Sequence, residues 1–161
     1  MTPELLDLST RIGAKLKESG QTIAAAESLT AGKVQDALAS VSGSSSYFRG
    51  GFTAYTLDLK VGVLRVDREL AEECSCVSAP VAYQMAKGIR ALCGSDIGIS
   101  TTGYAEPYGD VEVPYAHVCV MVGDKHISQI TVTGSASMTR EEMRLKVTTE
   151  ALATVALLLG V

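Results

Sequence analysis

Tryptophan is absent from this sequence of 161 residues, and two phenylalanines and six tyrosines are its whole aromatic complement. Any core must therefore rest on aliphatic side chains, and 47% of the residues are hydrophobic. Runs of one charge are missing too. Formal net charge is −4 with no long basic stretch, which argues against a nucleic-acid surface but leaves room for a local basic pocket. No apolar run reaches the roughly 20 residues that cross a bilayer, and Val155 to Leu159 is far too short. The opening residues Met1-Thr2-Pro3-Glu4 lack the basic segment and apolar stretch of a signal peptide. The expectation is a cytoplasmic protein with neither a membrane nor a nucleic acid as partner.

Metal-binding patterns are equally scarce. Cys74 and Cys76 stand one residue apart, while Cys93 and Cys119 are isolated. Structural zinc uses wider pairs completed by further Cys or His, and His117 and His126 do not complete one. A disulfide scaffold is not expected in a chain of this length and composition. The cysteines read as reduced thiols, and no metal or cofactor is expected.

What is present suits one domain spanning residues 1–161. Thr2 caps a first helix, with Pro3 in its first turn and Leu5, Leu8, Ile12 and Leu16 on one face; Gly20 stops it. Thr22 to Ala26 reads as a buried strand. Ser42 to Ser46 is a turn-rich loop with Gly50-Gly51 at its pliable end, and Phe52 to Tyr55 is a further strand. Asp67 to Glu73 reads as a short polar helix. Ser78 caps another, with Val81, Ala82, Met85, Ile89 and Leu92 on one face. Asp96 to Ser100 is a buried strand, and Ala116 to Val122 and His126 to Val132 pair as a hairpin across Gly123-Asp124. Thr139-Arg140-Glu141-Glu142 has the spacing of a capping box and opens a long last helix. Early alternation of helix and strand followed by a late hairpin predicts a three-layer α/β/α domain with a mixed, mostly parallel sheet.

The segment from Ile23 to Gly32, Ile-Ala-Ala-Ala-Glu-Ser-Leu-Thr-Ala-Gly, holds the most chemistry. A strand runs into Glu27-Ser28, a tight turn follows, and a helix begins with Val34, Ala37 and Leu38 on its inner face. Ser28 is placed at a strand's carboxyl end, where open α/β sheets bind ligands. Free N–H groups at the following helix would suit a phosphate or an oxyanion, and Gly32 would permit close approach. The alternative is that Ser28 and Thr30 merely cap the helix.

Four stretches share a pattern in order and spacing. They are Ala26-Glu27-Ser28-x-Thr30-x-Gly32; Gly43-Ser44-Ser45-x-Tyr47-Phe48-x-Gly50-Gly51; Ala54-Tyr55 with Lys60 five residues after the tyrosine; and Thr102-Gly103-x-Ala105-x-Pro107. Together they resemble the CinA carboxyl-terminal domain family, also known as nicotinamide-nucleotide amidase or nicotinamide mononucleotide deamidase. The resemblance implies a three-layer α/β/α fold and hydrolysis of the carboxamide of nicotinamide mononucleotide. It implies Ser28 as nucleophile and Lys60 as base, with Tyr55 as a third catalytic residue and Thr102 in the same site. Thr30, Gly32 and Gly103 would shape the substrate loops. Arg140 and Arg144, one turn apart, match positions where the family carries arginines and are candidates for the phosphate. Arg49 is a third candidate for the phosphate, with a plain surface residue as the favoured alternative. A small-molecule nucleotide is the implied partner, and a homodimer the implied assembly.

Two departures stand out. Leu29 and Ala31 replace the family's usual Cys and Gly. The second loop, Thr102-Gly103-Tyr104-Ala105-Glu106-Pro107-Tyr108-Gly109-Asp110, carries two tyrosines and two acids where the family prefers glycines. Glu106 and Asp110 would repel an anionic nucleotide. Two further expectations follow: a weakened or inactive relative acting as a nucleotide-binding or protein-interaction module, and an amidohydrolase for a less anionic amide.

Overall fold

The computed structural model describes all of residues 1–161. Helix α1, Pro3–Ser19, leads into strand β1, Ile23–Glu27, and helix α2, Lys33–Ala39. Strand β2, Phe48–Thr53, precedes three helices: α3, Leu57–Leu64; α4, Arg68–Glu73; and α5, Ala79–Cys93. Strands β3, Ile97–Gly103, β4, Tyr115–Val122, and β5, His126–Thr133, follow, and helix α6, Arg140–Leu159, ends the fold. The sheet order is β2-β1-β3-β4-β5. β1 pairs in parallel with β2 and β3, whereas β4 is antiparallel to both its neighbours. Four of the five strands therefore run in one direction. The expected mixed sheet and late hairpin are present.

Period-two alternation along the strands builds the layers. Ile23, Ala25, Ile97, Ile99, Val118 and Val120 face one way, into a core with α1, α2 and α6. Ala24 and Ala26 face the other way, onto Leu64, Val66, Val81, Met85 and Ile89 of the α3–α5 layer. Cys119 and Met121 pack beneath Ala82 and Ala86 on that second face. The small β1 side chains let α5 lie close to the sheet. No helix is long and apolar enough to cross a membrane.

The helix ends follow from the residues read above. Thr2, Asp67, Ser78 and Thr139 each accept a backbone N–H through the side chain, and Thr139 with Glu142 completes the capping box. Gly20 ends α1 in the left-handed conformation.

Two elements differ from the sequence reading. β2 begins at Phe48 rather than Phe52, so Gly50-Gly51 belongs to the strand. Glycines weaken strand propensity, and here parallel pairing of this edge strand with β1 overrides it. α3 was not legible as a helix, because Leu57, Leu59, Val61, Val63 and Leu64 surround it without forming a stripe.

Ser9 is fully buried in α1, and its hydroxyl has no hydrogen-bond partner. A buried unmade hydrogen bond is costly. Ser9→Ala is therefore expected to stabilise the fold by about 1 kcal/mol, read from the urea midpoint at unchanged m. A destabilised variant would mean the hydroxyl has a role that the packing does not reveal.

Candidate active site

β1 lies between β2 and β3, and the chain leaves it first to β2 on one side and later to β3 on the other. The carboxyl ends of β1 and β3 form the crevice that such a switch of direction creates. A cavity of about 440 Å3 opens there, bordered by Ser28, Leu29, Tyr55, Lys60, Cys76 and Thr102. Tyr104, Glu106, Tyr108 and Arg140 also line it, and the last three are solvent-exposed and form its mouth.

Ser28 follows the last residue of β1 and is 8% exposed. Its backbone N–H donates to the Thr101 carbonyl at 2.9 Å, which fixes the turn against β3. Lys60, the fourth residue of α3, points inward and is only 2% exposed. Its Nζ lies 3.1 Å from Ser28 Oγ and donates to the Ala54 carbonyl at 2.8 Å. Burial lowers the Lys60 pKa below its ordinary 10.5, opposed by the nearby Cys76 sulfur. Lysine so placed takes no part in an ion pair; the chain's salt bridges all involve other cations. Burial also pushes the Cys76 thiol up, so it favours its protonated form.

Glu27 holds the nucleophile turn from within. The residue is fully buried. Oε2 accepts from the N–H groups of Gly32 and Val34, at 2.9 and 3.2 Å, and Oε1 from that of Gln35 at 2.9 Å. The expected anion site at the start of α2 is therefore filled by the chain's own carboxylate. A buried carboxylate needs such donors. Ser28 and Thr30 do not cap α2, whose cap is Gly32 without a side-chain bond. Gly32 has φ +97°, and a Cβ there would meet nothing within 4 Å. Backbone conformation, rather than close approach, explains this glycine.

The remaining candidates divide into those that border the cavity and those that support it. Thr30 is fully buried, 2.7 Å from the Thr101 hydroxyl, and does not reach the cavity. Arg144 also turns away from it. Its Nε and Nη2 donate to the carbonyls of Leu29 and Thr30 at 2.9 and 3.0 Å, and Nη1 bonds Glu141. The residue clamps the turn, so the phosphate role expected of it finds no support in its position. Thr102 borders the cavity and donates to the Cys76 carbonyl at 2.7 Å. That bond steadies Ser75 and Cys76, consecutive residues with φ of 50° and 66°. Gly103 borders the cavity too; a Cβ there would lie 2.4 Å from the Tyr115 carbonyl oxygen. The adjacent antiparallel strand thus requires glycine.

Tyr55 is 50% exposed, and its hydroxyl accepts from Arg140 Nη2 at 2.6 Å. It makes no hydrogen bond to Ser28 or Lys60, so its place is that of a positioning group for Arg140 rather than a proton carrier. Arg140 Nη1 meets Glu106 at 2.8 Å. Arg49 is exposed on β2 and outside the cavity, as expected. No group of three His, Cys, Asp or Glu side chains is placed to hold a metal.

Three features escaped the sequence reading. Glu27 was a motif neighbour rather than an anchor, although an acid after three buried alanines signals a carboxylate that must be internally paired. The Glu106–Arg140–Tyr55 chain joins residues far apart in sequence. Leu29, which borders the cavity directly after Ser28, has a backbone N–H that donates to no acceptor in the chain.

Comparison with known proteins agrees with this architecture. A family model described as the CinA C-terminal domain matches residues 5–159. A CinA-like protein of Rippkaea orientalis is 42% identical over 118 residues, covering 73% of this chain and 28% of that protein. One from Synechocystis sp. is 42% identical over 120 residues, covering 74% and 29%. The chain thus matches under a third of the length of these curated relatives. The crystal structure of competence/damage inducible protein CihA from Agrobacterium tumefaciens superposes with a TM-score of 0.92 at 28% identity, covering 98% of this chain and 97% of that one. The CinA superfamily protein KP700603 from Klebsiella pneumoniae gives 0.84 at 24% identity, a likeness of fold alone. The chain belongs to the CinA C-terminal domain family.

Proposed function

We propose that this domain hydrolyses the carboxamide of nicotinamide mononucleotide to nicotinate mononucleotide and ammonia, with Ser28 as nucleophile and Lys60 as its base. The observation that carries the reading is the 3.1 Å approach of a buried lysine amine to a serine hydroxyl on a cavity wall. Serine attacks poorly until a neighbouring base takes its proton, and a lysine serves only when its amine is free. Burial shifts the Lys60 equilibrium in that direction.

The steps follow from the geometry. Ser28 Oγ bonds to the amide carbon as its proton passes to Lys60 Nζ. The oxygen of the tetrahedral adduct takes a hydrogen bond from the Leu29 N–H. The carbon–nitrogen bond then breaks, and Lys60 returns the proton to the leaving ammonia. Water, giving a proton to the same amine, attacks the acyl-serine; the acid leaves and Ser28 regains its hydrogen.

A second reading, a weakened or inactive relative acting as a nucleotide-binding or protein-interaction module, draws on the Glu106–Arg140 pair and the tyrosines at the mouth. Ammonia release from nicotinamide mononucleotide and from a small amide panel separates the two. Stoichiometric ammonia and nicotinate mononucleotide support the amidase. A folded protein that binds the nucleotide and releases none supports the module.

A further inference from the structure

The side chains that line the cavity include only three that can carry charge at neutral pH: Lys60, Glu106 and Arg140. Lys60 is buried and is the group that must supply a free amine. Arg140 has both ends of its guanidinium fork engaged, Nη1 by Glu106 at 2.8 Å and Nη2 by Tyr55 at 2.6 Å. Arg144, a second candidate for a phosphate, is held by backbone carbonyls. Arg140, the one solvent-exposed cation that lines the cavity, is thus already paired. A monoester phosphate carries close to two negative charges at neutral pH, and at Arg140 it meets the Glu106 carboxylate as a competing anion.

The same mouth offers much to a cation. Tyr104 and Tyr108 lie with ring centroids 6.2 Å apart and planes 16° from parallel, and both border the cavity. Tyr115 backs Tyr104 at 5.7 Å in a tilted contact. Aromatic faces attract a positive ring, and the Glu106 carboxylate beside them adds the opposite charge. A carboxamide on an N-substituted pyridinium is such a ring, and the carboxamide is the group the Ser28–Lys60 pair would attack.

We infer that Tyr104, Glu106 and Tyr108 make this site selective for a cationic, phosphate-free pyridinium carboxamide, ranking the nucleoside ahead of the nucleotide. The inference rests on the Ser28–Lys60 amidase reading and departs from it on one point: the nucleoside, ahead of the mononucleotide, is the preferred amide. Glu106 is the specificity-determining residue: it occupies Arg140, which would otherwise face a phosphate, and lends its charge to the ring.

The test measures binding by calorimetry in the Ser28→Ala protein, where turnover cannot interfere. The probes are nicotinamide riboside, its reduced form with an uncharged ring, and nicotinamide mononucleotide, each at low and high salt. Riboside is expected to bind about tenfold more tightly than the mononucleotide and several-fold more tightly than its reduced form, about the size of one good cation–aromatic contact. Glu106→Gln should erase the first ranking, tightening the mononucleotide about tenfold as Arg140 is released, with the change reduced at high salt. Tyr108 is 73% exposed, so Tyr108→Leu should leave the fold intact. It should weaken riboside while sparing the reduced form, whereas a merely apolar contact would weaken both alike. Tighter binding of mononucleotide than riboside, a ranking indifferent to Glu106→Gln, or equal losses in Tyr108→Leu would each overturn the inference. Absence of ammonia release by the parent protein with the ranking intact would instead overturn the amidase reading alone.

Discussion

Lys60→Met is expected to lower kcat/KM for amide hydrolysis by about 10³-fold or more, and Ser28→Ala to do the same, with the double variant no worse than either. Residues that act as one device lose their effect together, so additive losses would count against the pair. The parent's kcat/KM should rise with pH through the Lys60 pKa, which burial places below 10.5, and level off above it. Lys60→Met should lack that limb. Stability supplies an independent reading. Lys60 titrates near its ordinary value when unfolded and lower when folded. Between the two pKa values the unfolded chain binds more protons, so the parent gains stability as pH rises through that window. Below the folded pKa the cost of burying the charge is complete. Lys60→Met lacks this term, so the stability difference between variant and parent should shift towards the parent as pH rises to 10.5. Chemical denaturation at several pH values measures it. A pH-independent difference, with ammonia release undiminished, would leave Lys60 a buried structural lysine.

Much of the layer structure was legible because apolar spacing dictates it. Ile23 and Ala25 against Ala24 and Ala26 announce a strand buried on both faces, and Leu5, Leu8, Ile12 and Leu16 announce a helix stripe. Lys60 was legible only through its motif. Its helix has no stripe, and nothing in a lone lysine among valines and leucines reveals an inward amine. The two arginines of α6 show the opposite failure. At positions i and i+4 they share one helical face, so spacing treats them alike. Structure separates them through partners that spacing cannot foretell: backbone carbonyls of Leu29 and Thr30 for Arg144, and Glu106 and Tyr55 for Arg140. Tyr104, Glu106 and Tyr108 of the 104–110 loop stand at the cavity. The Glu106 carboxylate pairs with the chain's own Arg140, while Asp110, expected beside it, lies outside the cavity lining.

Glu27→Ala is expected to destabilise the fold by about 4 kcal/mol, a loss at the upper end for single substitutions. Three backbone N–H groups lose their acceptor at once; Glu27 and Val34 are fully buried, and Gly32 and Gln35 partly so. Gly32 is held at φ +97° by one of those bonds, and the turn that carries Ser28 has no side-chain cap to replace them. Glu27→Gln discriminates between charge and shape. Its single carbonyl oxygen can serve two of the three donors, while its amide presents hydrogens to the third. The expected cost is about 2 kcal/mol, with the turn displaced rather than lost. Urea unfolding at constant m reads both values. Since Ser28 is the next residue, Glu27→Gln should also lower kcat more than it raises KM, because a misplaced nucleophile harms the transition state before it harms binding. A Glu27→Gln protein with parental stability and parental kcat would show that Arg144 and the Ser28–Thr101 bond hold the turn without the carboxylate.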